Sequence, residues 1–402
     1  MNWKLIRHID AYLGIPLIYA LLGAQKLFGR RGHASLRRSG KRILLVKFWG
    51  IGNIFLMLPS VNSLWAAYPD AEIDLLTLEA SRDAARCTQA FNAIHAVDTK
   101  GMNRFLQTTL TMLAVLRRRD YDLIIDFEQF ARFSALCIAL IGRKTTIGFN
   151  TTSQHRHILL TQPVPYDNTL HITRSYSTLV QAAGAEAARS VDPAVLSDRS
   201  APNILTRLGI LPERTVIILH TGTSDNFSER RWPAQHYAAL ADLLMQDRDV
   251  QIVLSGLQEE AGLAAEVSRN IRERDRVIDL SGALSFDGFY QAIGSSDLVV
   301  TADTSAVHIA SALATPVVAL YGPNTPVLYG PWGKDGIAFY KKLACSPCIT
   351  NFNAKTHICR HPEGKGACMK RITPAEVYLQ IQARACQRAG GLKRRRPIGG
   401  GT

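Results

Sequence analysis

The sequence predicts an α/β protein with two doubly wound domains, preceded by a short apolar and basic helix. Short apolar runs rich in β-branched residues alternate with amphipathic stretches, and this alternation occurs twice along the chain. Such nearly continuous apolar runs are typical of parallel strands that helices cover on both faces. The 402 residues are enough for two Rossmann-like domains, each with its ligand site at the carboxyl ends of the strands.

The N-terminal segment, residues 1–40, is the first predicted element. Residues 11–24 carry no charge, and six basic residues follow within residues 30–42. As a helix rising ~1.5 Å per residue, the uncharged stretch reaches about 21 Å, less than the ~30 Å hydrocarbon core of a bilayer. A core helix and a signal peptide are alternatives, although Asp10 and the lack of a small-residue cleavage site disfavour the second. We expect a membrane-surface helix that is attracted to anionic lipid, with the next domain on the cytoplasmic side.

Two further domains and a tail follow this segment. The first domain, residues 41–200, contains the predicted strands RILLVKF (42–48), AEIDLLT (71–77), IHAVDT (94–99), YDLIIDF (121–127) and TTIGFN (145–150). The second domain, residues 201–386, repeats the pattern with TVIILHTG (215–222), VQIVLSG (250–256), RVIDLSG (276–282), DLVVTAD (297–303) and PVVALYG (316–322). Residues 387–402 should form a basic, disordered tail.

The net charge of +14 lies at the two ends of the chain. Residues 1–42 have a net charge of +8 and residues 384–402 a net charge of +6, which leaves the body neutral. A protein that wraps nucleic acid usually carries its basic surface on the folded body. The distribution therefore argues against a nucleic-acid partner and favours attraction of the ends to anionic lipid.

A glycine-containing turn, WGIGN (49–53), follows the first strand and opens a helix. Gly50 and Gly52 allow the backbone to approach a ligand closely, and a helix N-terminus favours negative charge. A tight turn without a ligand is the alternative interpretation. The string is not GxGxxG, which argues against a nicotinamide-dependent oxidoreductase on the same fold class.

Polar residues that suit a pyrophosphate follow another strand in the second domain. Thr221 and Thr223 offer hydroxyl groups, and Arg230 and Arg231 offer planar cationic donors. Together these side chains would hold the two phosphate groups of a nucleotide. A solvated polar loop is the alternative interpretation, because paired arginines are common on protein surfaces.

A strand end followed by small residues forms the most informative motif. Asp303 ends the strand, Thr304 and Ser305 begin a helix, and His308 follows within the first turn. The first N–H groups of a helix have no partner within the helix, so this turn is suited to bind an anion. The alternative is that Asp303 only caps the helix and that His308 belongs to the core.

Four of the seven cysteines cluster near the C-terminus, with His357 and His361 between them: Cys345, Cys348, Cys359 and Cys368. Four thiolates at such short spacings fit a structural zinc site, and an iron–sulfur cluster also fits the ligand type. Thiols without a metal, or disulfides in an oxidising compartment, are the alternatives. The odd cysteine count and the lack of a convincing export signal fit a reducing compartment.

The chain resembles glycosyltransferase family 9 in a series of motifs that occur in the same order: KFWGIGN, ERRWPAQHYAAL, LSGLQEE, DTSAVHIASALATPVVALYGP and CSPC…CMKRITPAEV. This family contains the ADP-heptose:lipopolysaccharide heptosyltransferases, and the resemblance runs from about residue 41 to residue 386. It implies a GT-B fold with two domains facing a central cleft, the acceptor bound by the first domain and the nucleotide sugar by the second. It also implies inversion at the anomeric carbon and no cofactor for catalysis.

The resemblance also implies roles for single residues. Thr223 and Arg230 stand where the family binds the donor phosphates, and Glu259, or its neighbour Glu260, stands near the position that binds the ribose. We expect the donor to be bound by Thr221, Thr223, Arg230, Glu259, Asp303, Thr304, Ser305 and His308. We expect the acceptor to be bound by Gly50, Gly52 and His171.

One position departs from the family pattern. The usual catalytic base is an Asp at the end of the first glycine loop, where this chain has Asn53, and an amide does not take a proton at neutral pH. Displacement by a sugar hydroxyl needs a base near the attacking oxygen. We expect Glu128 to serve as that base, with Asp126 as the second choice and Asn53 orienting the acceptor. A solvated loop acid is the alternative role of Glu128.

The expected function is that of an inverting glycosyltransferase that moves heptose from ADP-heptose to a lipopolysaccharide-core-like or other glycan acceptor. The expected partners are the nucleotide-sugar donor, a glycan or lipid-linked acceptor and, by peripheral contact, the anionic inner face of the inner membrane. The expected compartment is the cytoplasm. The alternative is a non-catalytic or altered-mechanism relative that binds nucleotide sugar or glycan, because position 53 lacks the usual base.

Overall fold

The computed structural model describes most of the chain: residues 3–27, 41–142, 144–188, 190–192, 196, 204–211, 213–223, 225–352 and 358–387. The chain divides into two compact units, Met1–Ser197 and Asp198–Thr402. Each unit is built on a six-stranded sheet in which all neighbouring strands are parallel. The prediction of an α/β protein with two doubly wound units is therefore confirmed.

The sheet of the first unit has the strand order β3-β2-β1-β4-β5-β6. Its strands are β1 (Arg42–Val46), β2 (Glu72–Leu78), β3 (Ala93–Val97), β4 (Leu123–Asp126), β5 (Thr145–Asn150) and β6 (Gln162–Pro165). All residues of β1 after the first are buried, as are all residues of β4. This burial on both faces explains why the central strands have continuous apolar sequences.

The helices of the first unit form two layers. They are α1 (Trp3–Leu27), α2 (Ile51–Ala67), α3 (Glu79–Arg86), α4 (Met102–Arg118), α5 (Arg132–Ile141) and α6 (Ile172–Ala182). The connections from β1 to β3 and from β3 to β5 run in opposite directions along the sheet. Because such crossovers are right-handed, α2 and α3 cover one face and α4 and α5 cover the other. Helix α6 packs on α2, and α1 packs on α5.

The sheet of the second unit has the strand order β12-β11-β10-β7-β8-β9. Its strands are β7 (Thr215–His220), β8 (Val250–Ser255), β9 (Val277–Asp279), β10 (Leu298–Ala302), β11 (Val317–Tyr321) and β12 (Gly336–Tyr340). Its helices are α7 (Ile204–Arg207), α8 (Ala234–Leu244), α9 (Ala261–Asn270), α10 (Phe286–Ser295), α11 (Ser305–Ala312), α12 (Pro326–Tyr329), α13 (Ala367–Lys370) and α14 (Pro374–Gln387). The fully buried Trp232 donates from Nε1 to the carbonyl of Ile372 (2.9 Å), which fixes the segment before α14.

The sequence patterns do not predict β6 and β12, each of which lies at one edge of its sheet, whereas the strands at the opposite edges, β3 and β9, are predicted. Strand β6 contains Pro163 and Pro165, which have no N–H to donate, and most of its residues are exposed. Strand β12 is only partly buried. Proline is tolerated at the edge of a sheet, and a half-exposed edge strand needs no long apolar run. Both strands therefore lack the signal that identifies the central strands.

Helix α1 extends beyond the uncharged stretch and packs along α5. Ile18 is fully buried in a cluster with Ala135. Asp10 accepts hydrogen bonds from the backbone N–H groups of Arg132 (3.2 Å) and Phe133 (2.7 Å) at the start of α5. Burial raises the pKa of Asp10 in spite of these donors. The helix is thus packed into the first unit, while its role at a membrane stays a prediction.

Within the described part of the chain, no helix combines the length and the apolar character needed to cross a bilayer. The basic residues 28–40 lie outside the described residues. The same holds for residues 388–402 of the predicted disordered tail, whereas Gln387 is the last residue of α14.

Candidate active site

Most of the predicted site residues lie at the points where the strand order reverses, whereas His171 precedes α6 and Glu259 follows β8. In the first unit this point is between β1 and β4, and in the second unit it is between β7 and β10. Doubly wound sheets bind ligands there, in the crevice outside the carboxyl ends of the strands. The first point carries residues 47–53 and 127–129, and the second carries residues 221–231 and 303–308.

Glu128 fastens the glycine loop of the first unit to the end of β4. Its Oε1 accepts hydrogen bonds from the backbone N–H groups of Phe48 and Trp49, both at 2.8 Å. Its Oε2 lies 3.1 Å from Nζ of Lys47, and both side chains are almost completely buried. Both carboxylate oxygens therefore already contact donors within the first unit.

Asp126, the second choice for the base, is enclosed in the core of the first unit. Its carboxylate pairs with the fully buried Arg156 and accepts a hydrogen bond from Oγ of Ser134 (2.8 Å). Burial raises the pKa of Asp126, and the charge of Arg156 opposes that rise. The enclosed carboxylate does not reach solvent. The structure thus gives it the task of fixing the turn at Arg156, and Glu128 stays the prediction for the base.

Asn53 lies where the family has its Asp, and the loop is matched to an amide. Its Nδ2 donates to the carbonyl of Trp49 (2.8 Å), and its Oδ1 accepts from the hydroxyl of Tyr176 (3.3 Å). Gly50 has a φ of 88°, and a Cβ there would collide with the Asn53 amide. Gly52 is buried in the first turn of α2. The glycine at position 50 is therefore required both by the turn and by the Asn53 side chain.

His171 caps the helix that brings Tyr176 to this site. The backbone N–H of Thr173 donates to Nδ1 of His171 (3.3 Å), so the imidazole closes the N-terminus of α6. The hydroxyl of Tyr176 also accepts from Nε2 of Gln129 (3.2 Å). Sequence patterns miss Tyr176, which resembles any core tyrosine. Its role depends on a contact with a residue 123 positions away.

Lys47 is a second residue at the switch point of the first unit that the sequence patterns do not predict. It follows β1 directly and is 2% exposed, in a stretch that is otherwise apolar. A buried lysine is costly unless it is paired, so a single lysine at the end of an apolar run is a usable signal. Its partner here is Glu128.

The threonines after β7 are buried, and one contacts an arginine. Thr221 is fully buried and Thr223 is 2% exposed. Nε of Arg231 donates to Oγ1 of Thr223 (3.1 Å). The structure therefore joins Thr223 to Arg231, whereas Arg230 points to the loop after β10.

Arg230, Asp303 and Asn324 form one cluster in the second unit. Nη1 of Arg230 donates to the backbone carbonyl of Asp303 (2.8 Å) and lies 3.8 Å from its Oδ2. Nδ2 of Asn324 donates to the same Oδ2 (2.8 Å). Asn324 follows β11 and is absent from the predicted set, although it occupies a strand end like the others. The cluster fixes the Asp303 carboxylate from two sides.

The N-terminus of α11 adjoins this cluster. Oγ1 of Thr304 accepts from the N–H of Ala306 (3.2 Å) and lies 3.0 Å from Oγ1 of Thr301. Ser305 is partly exposed at the first helical position, and His308 is largely buried one turn later. The helix start and Arg230 together provide positive potential where a phosphate is predicted.

The structure distinguishes the two acids near the predicted ribose position. Glu259 is exposed, whereas Glu260 is 8% exposed and its Oε2 accepts from the N–H of Leu257 (2.9 Å). A Cβ at Gly222 would collide with the Glu260 carboxylate. Glu260 therefore lies beside the loop that follows β7, and the exposed Glu259 stays a prediction for the ribose.

His220, at the end of β7, is buried and neutral. It lies 3.1 Å from Oγ of Ser255 and packs against the ring of Phe289. Burial lowers the pKa of His220 to about 4. His220 is therefore uncharged at neutral pH, at a switch point that also buries Asp303 and His308.

The four clustered cysteines line one small cavity of about 10 Å³ together with His361: Cys345, Cys348, Cys359 and Cys368. A cavity of this size has room for about one water molecule or ion. Burial, and then the proximity of the other thiols, raises the pKa of Cys368 to about 11.

As the described side chains stand, they include no group of three or more His, Cys, Asp or Glu that could hold a metal ion. His357, which the sequence places between the cysteines, lies outside the described residues. The cysteines are therefore brought to one cavity but do not have ligand geometry.

Comparison with known proteins identifies the family. The profile of glycosyltransferase family 9 (heptosyltransferase) matches residues 110–358. Lipopolysaccharide heptosyltransferase 3 of Escherichia coli strain K12 is 25% identical over 297 residues, which cover 72% of this chain and 85% of the relative.

Solved structures share the fold. A family 9 glycosyl transferase from Veillonella parvula has a TM-score of 0.71 at 19% identity, and the match covers 87% of this chain and 98% of that one. The Escherichia coli heptosyltransferase WaaC, solved with ADP, has a TM-score of 0.66 at 19% identity over 85% and 99% of the two chains. These similarities confirm the GT-B-like fold. Because the family profile spans more than half of its length, this chain belongs to glycosyltransferase family 9, the heptosyltransferase family.

Proposed function

We propose that this protein is an inverting heptosyltransferase that moves heptose from ADP-heptose to a lipopolysaccharide-core-like or other glycan acceptor. The observation that carries the proposal is the cluster of Arg230, Asp303 and Asn324 beside the N-terminus of α11. Family membership supports the reaction type, and the names of the relatives support the sugar and the acceptor. The ADP in the WaaC structure supports the nucleotide.

The second unit is suited to bind the donor diphosphate. Arg230 and the first N–H groups of α11 are fixed positive groups, and they would stabilise the charge that develops on the leaving ADP. The carboxylate of Asp303 would accept a hydrogen bond from a hydroxyl group of the sugar. Asn324 and Arg230 fix the position of this carboxylate. These groups need little rearrangement when the bond to the anomeric carbon breaks, which is how preorganised donors lower a barrier.

The first unit would activate the acceptor. Asn53 and Tyr176 are suited to orient the acceptor hydroxyl, and Glu128 would take its proton. The acceptor oxygen forms a bond to the anomeric carbon, ADP leaves with the electron pair, and the proton passes to the carboxylate. Lys47 and two backbone N–H groups hold the Glu128 carboxylate in place for this step.

The variant Glu128→Gln tests the base. Its amide oxygen can still accept from the loop N–H groups, whereas proton uptake is lost. We expect kcat to fall about 10²–10⁴-fold with unchanged ADP affinity, and the acidic limb of the kcat/KM profile to disappear. The exposed Glu186→Gln is the matched control. If Glu128→Gln is slower but its kcat/KM profile keeps the acidic limb, Glu128 has a positioning role only. If the variant is fully active, Glu128 takes no part in the mechanism.

The reaction itself is tested with the purified chain, a lipid-linked core acceptor that lacks heptose, and several nucleotide sugars. We expect release of ADP and a heptose added to the acceptor with ADP-heptose, and no transfer from UDP-glucose or GDP-mannose. Transfer from one of those donors instead would overturn the donor assignment.

A non-catalytic relative is the second candidate. The observation that favours it is the amide at position 53, whose Nδ2 donates to Trp49 where a carboxylate would meet a carbonyl oxygen. Tight ADP-heptose binding without transfer or hydrolysis would support this candidate.

A structural zinc ion in the cysteine cavity is a further part of the proposal. Four thiols and one imidazole line one small cavity, and their side chains would have to turn toward a common ion; soft thiolates prefer zinc or iron. The ion would hold the segment around Cys345 and Cys348 against α13, and no catalytic step would pass through it.

Metal analysis under reducing conditions tests the zinc site. We expect about one zinc per chain, lost in Cys359→Ser and kept in Cys386→Ser, an exposed cysteine outside the cavity. If iron is found in place of zinc, the metal assignment is wrong. If neither metal is found, the proposed metal site is refuted.

A peripheral contact with the anionic inner face of the inner membrane completes the proposal and places the protein in the cytoplasm. The basic ends of the chain support it, because they carry the whole net charge. The acceptor class supports it too, since lipid-linked glycans are anchored in that membrane.

A further inference from the structure

Two helices of the first unit expose apolar stripes. On α4, Met102, Leu106 and Leu110 are four residues apart, and the two leucines are 51% and 66% exposed. On α1, Leu13 and Leu17 are likewise four residues apart and about half exposed. Residues at this spacing lie on one side of a helix, so each helix presents a row of leucines to solvent.

The two stripes belong to the same layer of the first unit. Helix α5 packs against both α1 and α4, and its own Leu140 is also exposed. Three contacts hold α1 on this layer. Asp10 accepts a hydrogen bond at the start of α5, and Ile18 packs in a buried cluster with Ala135. Gln25 donates to the carbonyl of Ala139. The leucines of α1 are thus presented by a docked helix.

The charge of this layer differs from that of the opposite layer. The sequences of α1, α4 and α5 contain seven Lys or Arg and a single acid, Asp10. Arg132 pairs with Asp10 and Arg104 pairs with Asp98, which leaves five of the seven without these two partners. The sequences of α2, α3 and α6 contain three Lys or Arg and two acids. Exposed Arg117 and Arg118 end the helix that carries Leu106 and Leu110.

We propose that the layer of α1, α4 and α5 is the face that lies on the anionic membrane, with the leucines of α1 and α4 inserted among the headgroups. This inference rests on the membrane contact proposed above and says which surface makes it. Apolar side chains flanked by Lys and Arg and nearly free of acids match an interface of acyl chains and anionic headgroups. The charge complementarity favours lipid over a second copy of the chain, because two such basic faces would repel each other.

Vesicle co-sedimentation of the full chain tests the proposal. The vesicles contain phosphatidylcholine alone or phosphatidylcholine with phosphatidylglycerol, and the chain should prefer the second. The variants are Leu106→Ser with Leu110→Ser on α4, and Leu13→Ser with Leu17→Ser on α1. Each pair should weaken binding about tenfold. The control Leu379→Ser, on α14 and also 66% exposed, should bind like the unchanged chain.

Two further measurements separate the outcomes. Transfer to a water-soluble acceptor fragment should be unchanged in all variants, because the substitutions lie outside the donor and acceptor sites. If the unchanged chain binds no vesicles, the membrane contact itself is refuted. If the unchanged chain binds vesicles and both double variants bind them as strongly as it does, the membrane contact stands but this face does not make it. If the pairs instead alter oligomeric state in light scattering but not lipid binding, the layer is an interface between copies.

Discussion

The two switch points of this protein differ in how deeply they bury their charged side chains. In the first unit, the loops after β1 and β4 enclose two buried ion pairs, Lys47 with Glu128 and Arg156 with Asp126. In the second unit, the pair of Arg230 and Asp303 is less enclosed and lies beside a helix start, and the buried His220 is neutral. The same fold thus provides one site closed by two buried ion pairs and a second site in which the pair of Arg230 and Asp303 lies beside a helix start.

The largest expected effect concerns the buried pair of the first unit. In Arg156→Met, Asp126 loses its cation while remaining enclosed, and we expect the unfolding free energy to fall by about 3–5 kcal/mol. Urea unfolding measures the change, and adding Asp126→Asn should restore much of it. The control is Arg104→Met, which breaks the exposed pair with Asp98 and should cost below about 1 kcal/mol. Equal losses in the two single variants would contradict the comparison.

The next effect concerns pH and the second unit. The pKa of His220 is about 4 in the folded chain and near 6.5 when unfolded. As pH falls from 6.5 to 4, the unfolded chain takes up this proton and the folded chain does not. Stability should therefore drop by about 3 kcal/mol over that window. His220→Gln should remove that part of the slope in unfolding titrations, and an unchanged slope would show that the buried imidazole does not titrate in this way.

A smaller effect is expected for the cation of the second site. Arg230→Ala should weaken ADP binding by about 2 kcal/mol, or roughly 30-fold, because it removes a charge-assisted contact to phosphate. Calorimetry measures the affinity, and Arg269→Ala on the exposed side of α9 is the control. If both variants bind ADP like the unchanged chain, the positive character of the second switch point does not serve the diphosphate.

The smallest effect is expected for the amide that positions Asp303. Asn324→Ala removes one hydrogen bond to the carboxylate of Asp303 and should raise the donor KM by about tenfold, with little change in ADP affinity. Asn324→Asp should be worse, because it sets a second carboxylate against Asp303. If the two variants behave alike, the hydrogen bond does not fix the carboxylate.

Much of the fold is predictable because the buried central strands have continuous apolar sequences. Strand TTIGFN at 145–150 has the predicted bounds, and the other central strands differ only at their ends. Strands β6 and β12 are missed because edge strands bury one face at most and tolerate proline. The pattern also cannot say that an apolar row on α4 faces solvent, since core and surface rows have the same period.

The candidate site is predictable only where its residues follow strands. Asp303 and Glu128 are found in this way, whereas Asn324 is missed although it follows β11. Tyr176 has no local signal, because its contact with Asn53 joins residues 123 positions apart. The position of Glu260 also depends on the turn that directs its side chain toward Gly222.

The carboxylate of Asp10 has a practical consequence for anyone shortening this protein. A chain that began at residue 41 would lose the acceptor for two amide groups at the start of α5, and would uncover Ala135 and Leu159. Helix α5 follows directly on the segment that holds Glu128. Removing the N-terminal helix to improve solubility would therefore disturb the segment that positions Glu128, so a loss of turnover in the shortened protein would not be evidence for membrane binding.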